Sequence, residues 1–330
     1  MSRAKPLILV ALSALIVVAG VLISAEQTPP RILAPPGSAR VGIYLTSHAL
    51  RVSEIVEAFL AARAEDKLDA LVINVKNMHG EVTYASAVPL ARQIGASTGR
   101  VDFALLLPEL HRRGFYVIAR QVVFFDPALA RHLGLEEDWI PADHPTARSY
   151  NLALAEEVAS LGFDEIQFDY IRYADGGELV PAYADRYEAI EGFLAEAHDR
   201  LSDRIALSAD LFGRVLWPWN ERLIDPIGQS LEGICPHLDF VSPMLYPSHY
   251  VEPTYQENPF AVVSDALLGA TERVSARFRP FLQAFDMKLP ENMTLETYIL
   301  EQIRAARETG ADGYLFWHPA CDYTALYNVL

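Results

Sequence analysis

Short runs rich in Val, Ile, Leu, Phe and Tyr alternate along the chain with longer stretches in which apolar residues recur every three or four positions. The short runs are Val41–Leu45, Leu71–Lys76, Tyr116–Phe124, Asp164–Tyr170, Ile205–Leu211, Phe240–Tyr246, Pro280–Phe285 and Gly313–Trp317. Such runs read as buried strands, and the stretches between them as amphipathic helices. After the fourth run, Tyr183, Tyr187, Ile190, Leu194 and Ala197 fall on one helical stripe. After the seventh, Leu295, Tyr298, Ile299, Ile303 and Ala306 do the same, with Thr294 placed to cap that helix and Gly310 to end it. Strands alternating with helices predict a parallel sheet covered by helices. Eight strands within residues 41–330 close an α/β fold, the (β/α)8 TIM barrel, with an open doubly wound sheet as the alternative.

Successive side chains of a strand point to opposite faces. In Asp164–Tyr170 this puts Ile166, Phe168 and Tyr170 on one side and Glu165, Gln167 and Asp169 on the other. A polar face ending in an acid suits the inside of a barrel, whose catalytic groups gather at the carboxyl ends of the strands. Asp169 is therefore the first catalytic candidate; the structural alternative is an ion pair with Arg120 or Arg172. Asp164 and Glu165, at the opposite end of the strand, read as structural. In the fifth run Ser208 and Asp210 share the inward face, so Asp210 is a second candidate. The seventh run ends in Gln283 and, two residues beyond Ala284, in a third acid, Asp286. Glycoside cleavage uses such a pair, one carboxylic acid protonating the leaving oxygen while a carboxylate attacks the sugar or activates water. The carboxyl groups then stand roughly 5 to 5.5 Å apart for retention and 6.5 to 9.5 Å for inversion. Neighbouring acids push their pKa values apart, which keeps one protonated while the other is charged.

Around these acids the strand ends carry groups suited to sugars. Tyr246, His249 and Tyr250 follow the sixth run and Trp317 and His318 end the eighth, offering ring platforms and hydroxyl partners. Arg120, Arg172, Gln167, Gln283 and Lys76, which shares a face with Asn74 in strict alternation, complete the candidate substrate contacts. Trp217 and Trp219 read either as a cleft wall or as a loop packed on itself. The long connections 126–162 and 247–279 both follow strands and belong to the same rim.

The amino-terminal region stands outside this rhythm. Leu7–Ala25 is an uncharged apolar run preceded by Arg3 and Lys5, long enough to span a bilayer as an anchor with its positive end inside, the alternative being a cleaved signal peptide. Either reading places the body outside the cytoplasm, tethered to the membrane or secreted. A Pro-rich linker follows to residue 40. The formal charge is −16, and because residues 1–40 hold four basic residues against one acid, the remainder carries −19. Such a surface repels phosphate backbones and argues against a nucleic-acid partner. No Gly-rich phosphate loop or dinucleotide fingerprint is present, so no nucleotide is expected, and no His-x-His or His-Glu-x-x-His pattern points to a metal. No cofactor is expected. Cys235 and Cys321 flank different strands at opposite barrel ends and read as two separate thiols.

Three stretches carry a family resemblance. Tyr116–Leu129, Gly162–Arg172 (Gly-Phe-Asp-Glu-Ile-Gln-Phe-Asp-Tyr-Ile-Arg) and Ser242–Tyr250 resemble the glycosyl hydrolase domain family DUF4015, the second being the specific one. The resemblance runs from about Val41 to the carboxyl end. It implies a glycoside hydrolase-like barrel on exported bacterial proteins, with Asp169, Tyr170 and Arg172 on the family's central motif and Tyr246, His249 and Tyr250 on its sixth-strand motif. The expected activity is hydrolysis of an extracellular or cell-envelope polysaccharide. A non-catalytic glycan-binding or scaffold protein on the same barrel is the alternative.

Overall fold

The structure is a computed structural model that describes residues 39–176 and 183–330. The apolar run and most of the linker lie outside the described residues. Among the described residues no helix is long and apolar enough to cross a membrane.

Eight strands form one closed parallel barrel in sequence order, β8 returning to β1. They are β1 (Arg40–Leu45), β2 (Ala70–Lys76), β3 (Tyr116–Val122), β4 (Glu165–Asp169), β5 (Ala206–Phe212), β6 (Phe240–Leu245), β7 (Phe281–Gln283) and β8 (Gly313–Trp317). The main connecting helices are α1 (Ser53–Ala64), α2 (Phe103–Arg112), α3 (Pro145–Ala159), α4 (Ala184–Leu201), α5 (Pro259–Arg273) and α6 (Leu295–Glu308). Strand β7 is shorter than its apolar run suggests, because the backbone N–H of Gln283 donates to the side chain of Gln302 on α6 (2.8 Å) where the ladder ends. No long helix joins β5 to β6. That connection is built from short helical turns at Gly213–Leu216, Pro218–Arg222, Leu231–Ile234 and Cys235–His237.

The outward faces of the strands form the core against the helices. Ile166 and Phe168 are fully buried, and the Phe168 ring lies 5.6 Å from Phe193 of α4, which also meets Phe124 at 5.2 Å. On α6 the predicted stripe Tyr298, Ile299, Ile303 and Ala306 is buried. Thr294 caps this helix by accepting from the Thr297 N–H (3.2 Å), and Gly310 follows it at φ +74°, a left-handed turn that suits glycine. Cys235 and Cys321 are both unpaired.

The barrel interior is polar in layers. At the amino-terminal end Glu165 pairs with the fully buried guanidinium of Arg279 and accepts from the hydroxyls of Tyr116 (3.0 Å) and Ser208. Arg279 also lies over the Phe240 ring at 4.3 Å. Gln167 forms the next layer, donating to Ser242 (3.1 Å), and Asp169 and Asp210 the uppermost. Asp164 stays at the strand's amino end, bonded to the Val117 N–H (2.7 Å) and facing His111 (2.8 Å).

Removing one partner of a buried ion pair strands the other charge, at a cost of about 3–5 kcal/mol. Glu165→Gln is therefore expected to lower unfolding free energy by about that amount, and Glu165→Gln with Arg279→Met to recover much of it. Urea denaturation of the three proteins checks this; equal stability of the single variant and the parent would show that the pair does not hold the barrel floor.

Candidate active site

The site grows from the inward positions at the carboxyl ends of β1 to β5. Tyr44, Asn74, Arg120, Asp169 and Asp210 stand on five successive strands and form one chain of contacts. The Asn74 side chain donates to the Tyr44 hydroxyl (2.7 Å), and Arg120 donates to Asn74 Oδ1 (2.8 Å). Arg120 Nε donates to Asp169 Oδ2 (2.9 Å), its Nη2 reaches the same oxygen, and Nε lies 3.8 Å from Asp210 Oδ2. Asp169 also accepts from the backbone N–H of Tyr170 (2.6 Å), which sits at φ +54°. A bulky residue in the left-handed region directly after a cleft acid is the kind of strain that a surrounding structure maintains at functional sites. Phe125 and Trp139 hold the Tyr170 ring at 5.6 and 5.7 Å.

Asp210 neighbours Asp169, and Arg120 is in reach of both. Burial, and then the charge of Asp169, raise Asp210 well above the usual carboxyl range, with Arg120 offsetting only part. Asp210 therefore keeps its proton at a pH where an ordinary carboxyl has lost it, while Arg120 forms its ion pair with Asp169. Arg120 itself is raised in pKa, since Asp169, Tyr44 and Asp210 outweigh the burial that opposes its charge.

Above the pair opens a cleft of about 830 Å³, bounded mainly by the ends of β3 to β6 and by Phe281 and Trp317. Asp169, Asp210, Arg120, Arg172, Tyr246, His249, Tyr250 and Trp317 line it, so eight of the sequence candidates meet at one place. The Tyr246 ring lies 5.3 Å from His249 and 5.8 Å from Trp317. Burial, reinforced by Asp210 and Asp169, pushes the Tyr246 phenol well up, so it stays a neutral donor. Burial and Lys288 push His249 down, which favours a neutral imidazole. Tyr250 lies against Gly213, where a Cβ would come within 2.7 Å of its hydroxyl, so a residue without a side chain is needed there.

The other candidates fall elsewhere. Lys76 does not face the cleft. An irregularity in the β2–β3 register between Asn74 and Lys76 breaks the alternation, and Lys76 is buried with Asp126 (2.7 Å) and Asn151 (3.0 Å) behind the sheet. Gln167 lies a layer below, inside the barrel. Gln283 ties the β6 and β7 loops together, accepting from the Ser248 N–H (3.1 Å) and donating to the carbonyls of Phe285 and Met287 (3.0 and 3.1 Å). His318 holds the turn after β8, its Nδ1 accepting from the N–H groups of Ala320 and Asp322 (3.1 and 3.3 Å). Asp286 is exposed and outside the cleft lining.

Several lining residues escaped the sequence reading. Phe212 continues the alternation of Ser208 and Asp210 by one position and was within reach of it; Arg214, Asp175, Glu252 and Tyr255 lie on loops with no periodic signal. Trp217 and Trp219 are cleft wall, with Trp217 5.2 Å from Tyr255 and 6.0 Å from Tyr250.

An eight-stranded barrel with acids and aromatic rings at the carboxyl ends of its strands places the chain among glycoside hydrolase-like barrels. The chain belongs to the family DUF4015, described as "putative glycosyl hydrolase domain", whose profile matches residues 42–323. No curated protein matches. Among solved structures the barrel is similar to the PgaB (BpsB) glycoside hydrolase domain from Bordetella bronchiseptica, at 15% identity over 88% of this chain and 98% of that one, with a TM-score of 0.60. It is also similar to the endo-β-1,4-mannanase from Thermotoga petrophila (11% identity, 87% and 69% covered, TM-score 0.61) and to a chitinase from Bacteroides thetaiotaomicron (12%, 88% and 95%, TM-score 0.55). At these identities the likeness is one of fold.

The raised Asp210 has a consequence for stability. The folded protein binds this proton more tightly than the unfolded chain does, so the contribution is full below the ordinary value of 3.8 and falls as pH rises toward the folded value. Asp210→Asn cannot ionise and lacks that slope. Denaturant midpoints measured from about pH 4 upward are expected to show the variant gaining on the parent as pH increases. Parallel curves would show that Asp210 ionises as an ordinary carboxyl.

Proposed function

We propose that this protein is a glycoside hydrolase acting on an extracellular or cell-envelope polysaccharide. The observation that carries the reading is the neighbouring pair of acids, Asp169 held by Arg120 and Asp210 raised in pKa, at the floor of an aromatic cleft, at the strand ends where barrel enzymes keep their chemistry. A poised pair supplies both halves of the reaction. Asp210 holds a proton at a pH where ordinary carboxyls have lost it, and is the general acid for the leaving oxygen. Asp169, charged and held by Arg120 and the Tyr170 amide, is the nucleophile or base at the sugar carbon. Once Asp210 gives up its proton the pair carries two charges, which the Arg120 guanidinium, in reach of both, offsets. Tyr246, His249 and Trp317 present donors and ring faces for sugar hydroxyls and C–H faces.

Membership of a glycosyl hydrolase family and a barrel shared with a mannanase and a chitinase support this reading. Export, with Leu7–Ala25 as anchor or signal, fits a substrate outside the cytoplasm and belongs to the same proposal.

Residues 40–330 are expected to release reducing ends from at least one member of a panel of bacterial polysaccharides and peptidoglycan. Asp169→Asn and Asp210→Asn are each expected to lower that rate by about 10²-fold or more. Retention of a polysaccharide by parent and variants alike, with no turnover by any of them, would make the protein a glycan binder instead.

A further inference from the structure

Three arginines line the cleft, and two are satisfied by the protein. Arg120 is paired with Asp169, and Arg214 makes two-pronged contacts with both Asp175 (2.8 and 2.9 Å) and Asp225 (2.8 Å each). Arg172 differs. Its guanidinium carbon lies 4.3 Å from the ring centres of both Trp139 and Phe212 and 5.4 Å from that of Tyr170. Its one hydrogen bond among the described residues runs from Nη1 to the Tyr173 carbonyl (2.9 Å), and it forms no ion pair there. Most of its five N–H donors thus find no acceptor among the described residues. Burial lowers its pKa, the effect expected of a charge removed from water without a contacting counter-ion.

An arginine held against several aromatic rings is positioned in advance, so little side-chain entropy is lost when it forms a bond. Its planar fork matches the oxygens of a carboxylate or sulfate. A neutral sugar hydroxyl would use single donors and leave the charge uncompensated. The charge of Asp169, which acts on Arg172, is itself held by the ion pair with Arg120, and Asp175 is held by Arg214. The formal charge of −16 disfavours a densely anionic chain at long range, and one contact site suits an isolated substituent.

We propose that Arg172 recognises a single anionic substituent, a carboxylate or a sulfate ester, on the glycan that occupies the cleft. The proposal rests on the glycan-cleft reading and names the class of sugar it would take.

The test needs no turnover. All four tryptophans border the cleft or touch Arg172, Trp217, Trp219 and Trp317 as lining and Trp139 as the neighbouring ring, so their fluorescence reports occupancy. The probes are D-glucuronate, its uncharged methyl ester and glucose 6-sulfate, titrated into residues 40–330. A charge-assisted fork predicts that the parent binds glucuronate at least about tenfold more tightly than the ester. Arg172→Met is expected to erase that ratio while still binding the ester, and Arg172→Lys to keep part of it. Glucose 6-sulfate binding as well as glucuronate identifies the site as a general anion fork, and weaker binding as a carboxylate fork. The proposal is overturned if the parent shows no preference, if the preference survives in Arg172→Met, if that variant loses both ligands equally, or if the parent binds none of the probes. Charge discrimination without turnover on any polysaccharide would remove the hydrolase reading and leave this one standing. Turnover of a neutral polysaccharide without discrimination would do the reverse.

Discussion

The guanidinium of Arg120 stands where the barrel changes from packed interior to open cleft, and the upper layer is arranged around it. Buried, it needs acceptors on several sides, and it finds them on the neighbouring strands: the Asn74 oxygen on β2, the Asp169 carboxylate on β4 and, slightly farther, the Asp210 carboxyl on β5. Its guanidinium carbon lies 5.3 Å from the centre of the Tyr44 ring of β1. One side chain on β3 therefore ties together residues at five consecutive strand ends. An amide at position 74 matters here, because it accepts from Arg120 while donating to Tyr44. A carboxylate there would compete with Asp169 for the same cation.

The lower layer solves a similar problem differently. Glu165 and Arg279 neutralise each other below the cleft, with hydroxyls from Tyr116 and Ser208 on the acid. Charge at the bottom of the barrel is matched within the protein, whereas charge at the top is matched only in part. Fields left uncompensated in a water-poor site are what a substrate or transition state can use. The two layers differ in this although Glu165 and Asp210 are both almost fully buried.

The barrel was legible because its strands obey strict alternation. Period two placed Glu165, Gln167 and Asp169 inward on β4 and Ser208 and Asp210 inward on β5, and contacts across the interior have that pattern. The same rule failed at Lys76, where one irregularity in the β2–β3 register sends the side chain to Asp126 behind the sheet. A bulge leaves no mark in a run of apolar residues. Position along a strand was less legible than face, which is why Gln167 proved to be a packing residue one layer below the chemistry. Loops were opaque: nothing periodic links Arg214 to Asp175 and Asp225, or Trp139 to Arg172, because those pairs depend on how separate connections fold over the rim.

The missing helix after β5 shapes what the site can hold. In a regular barrel a helix would cover the outside of that strand pair, but here the chain spends its length on short turns that carry Trp217 and Trp219 to the cleft. Together with Tyr250 and Tyr255 from the β6 connection, they make one aromatic wall, while Arg172, close to the rings of Trp139 and Phe212, makes a cationic one. Asp210 is the more deeply buried acid and lies farther from Arg120 Nε, 3.8 Å against 2.9 Å for Asp169. Burial, which Arg120 offsets only in part, raises Asp210, while Arg120 forms its ion pair with Asp169, so two chemically identical side chains sit in different electrostatic surroundings.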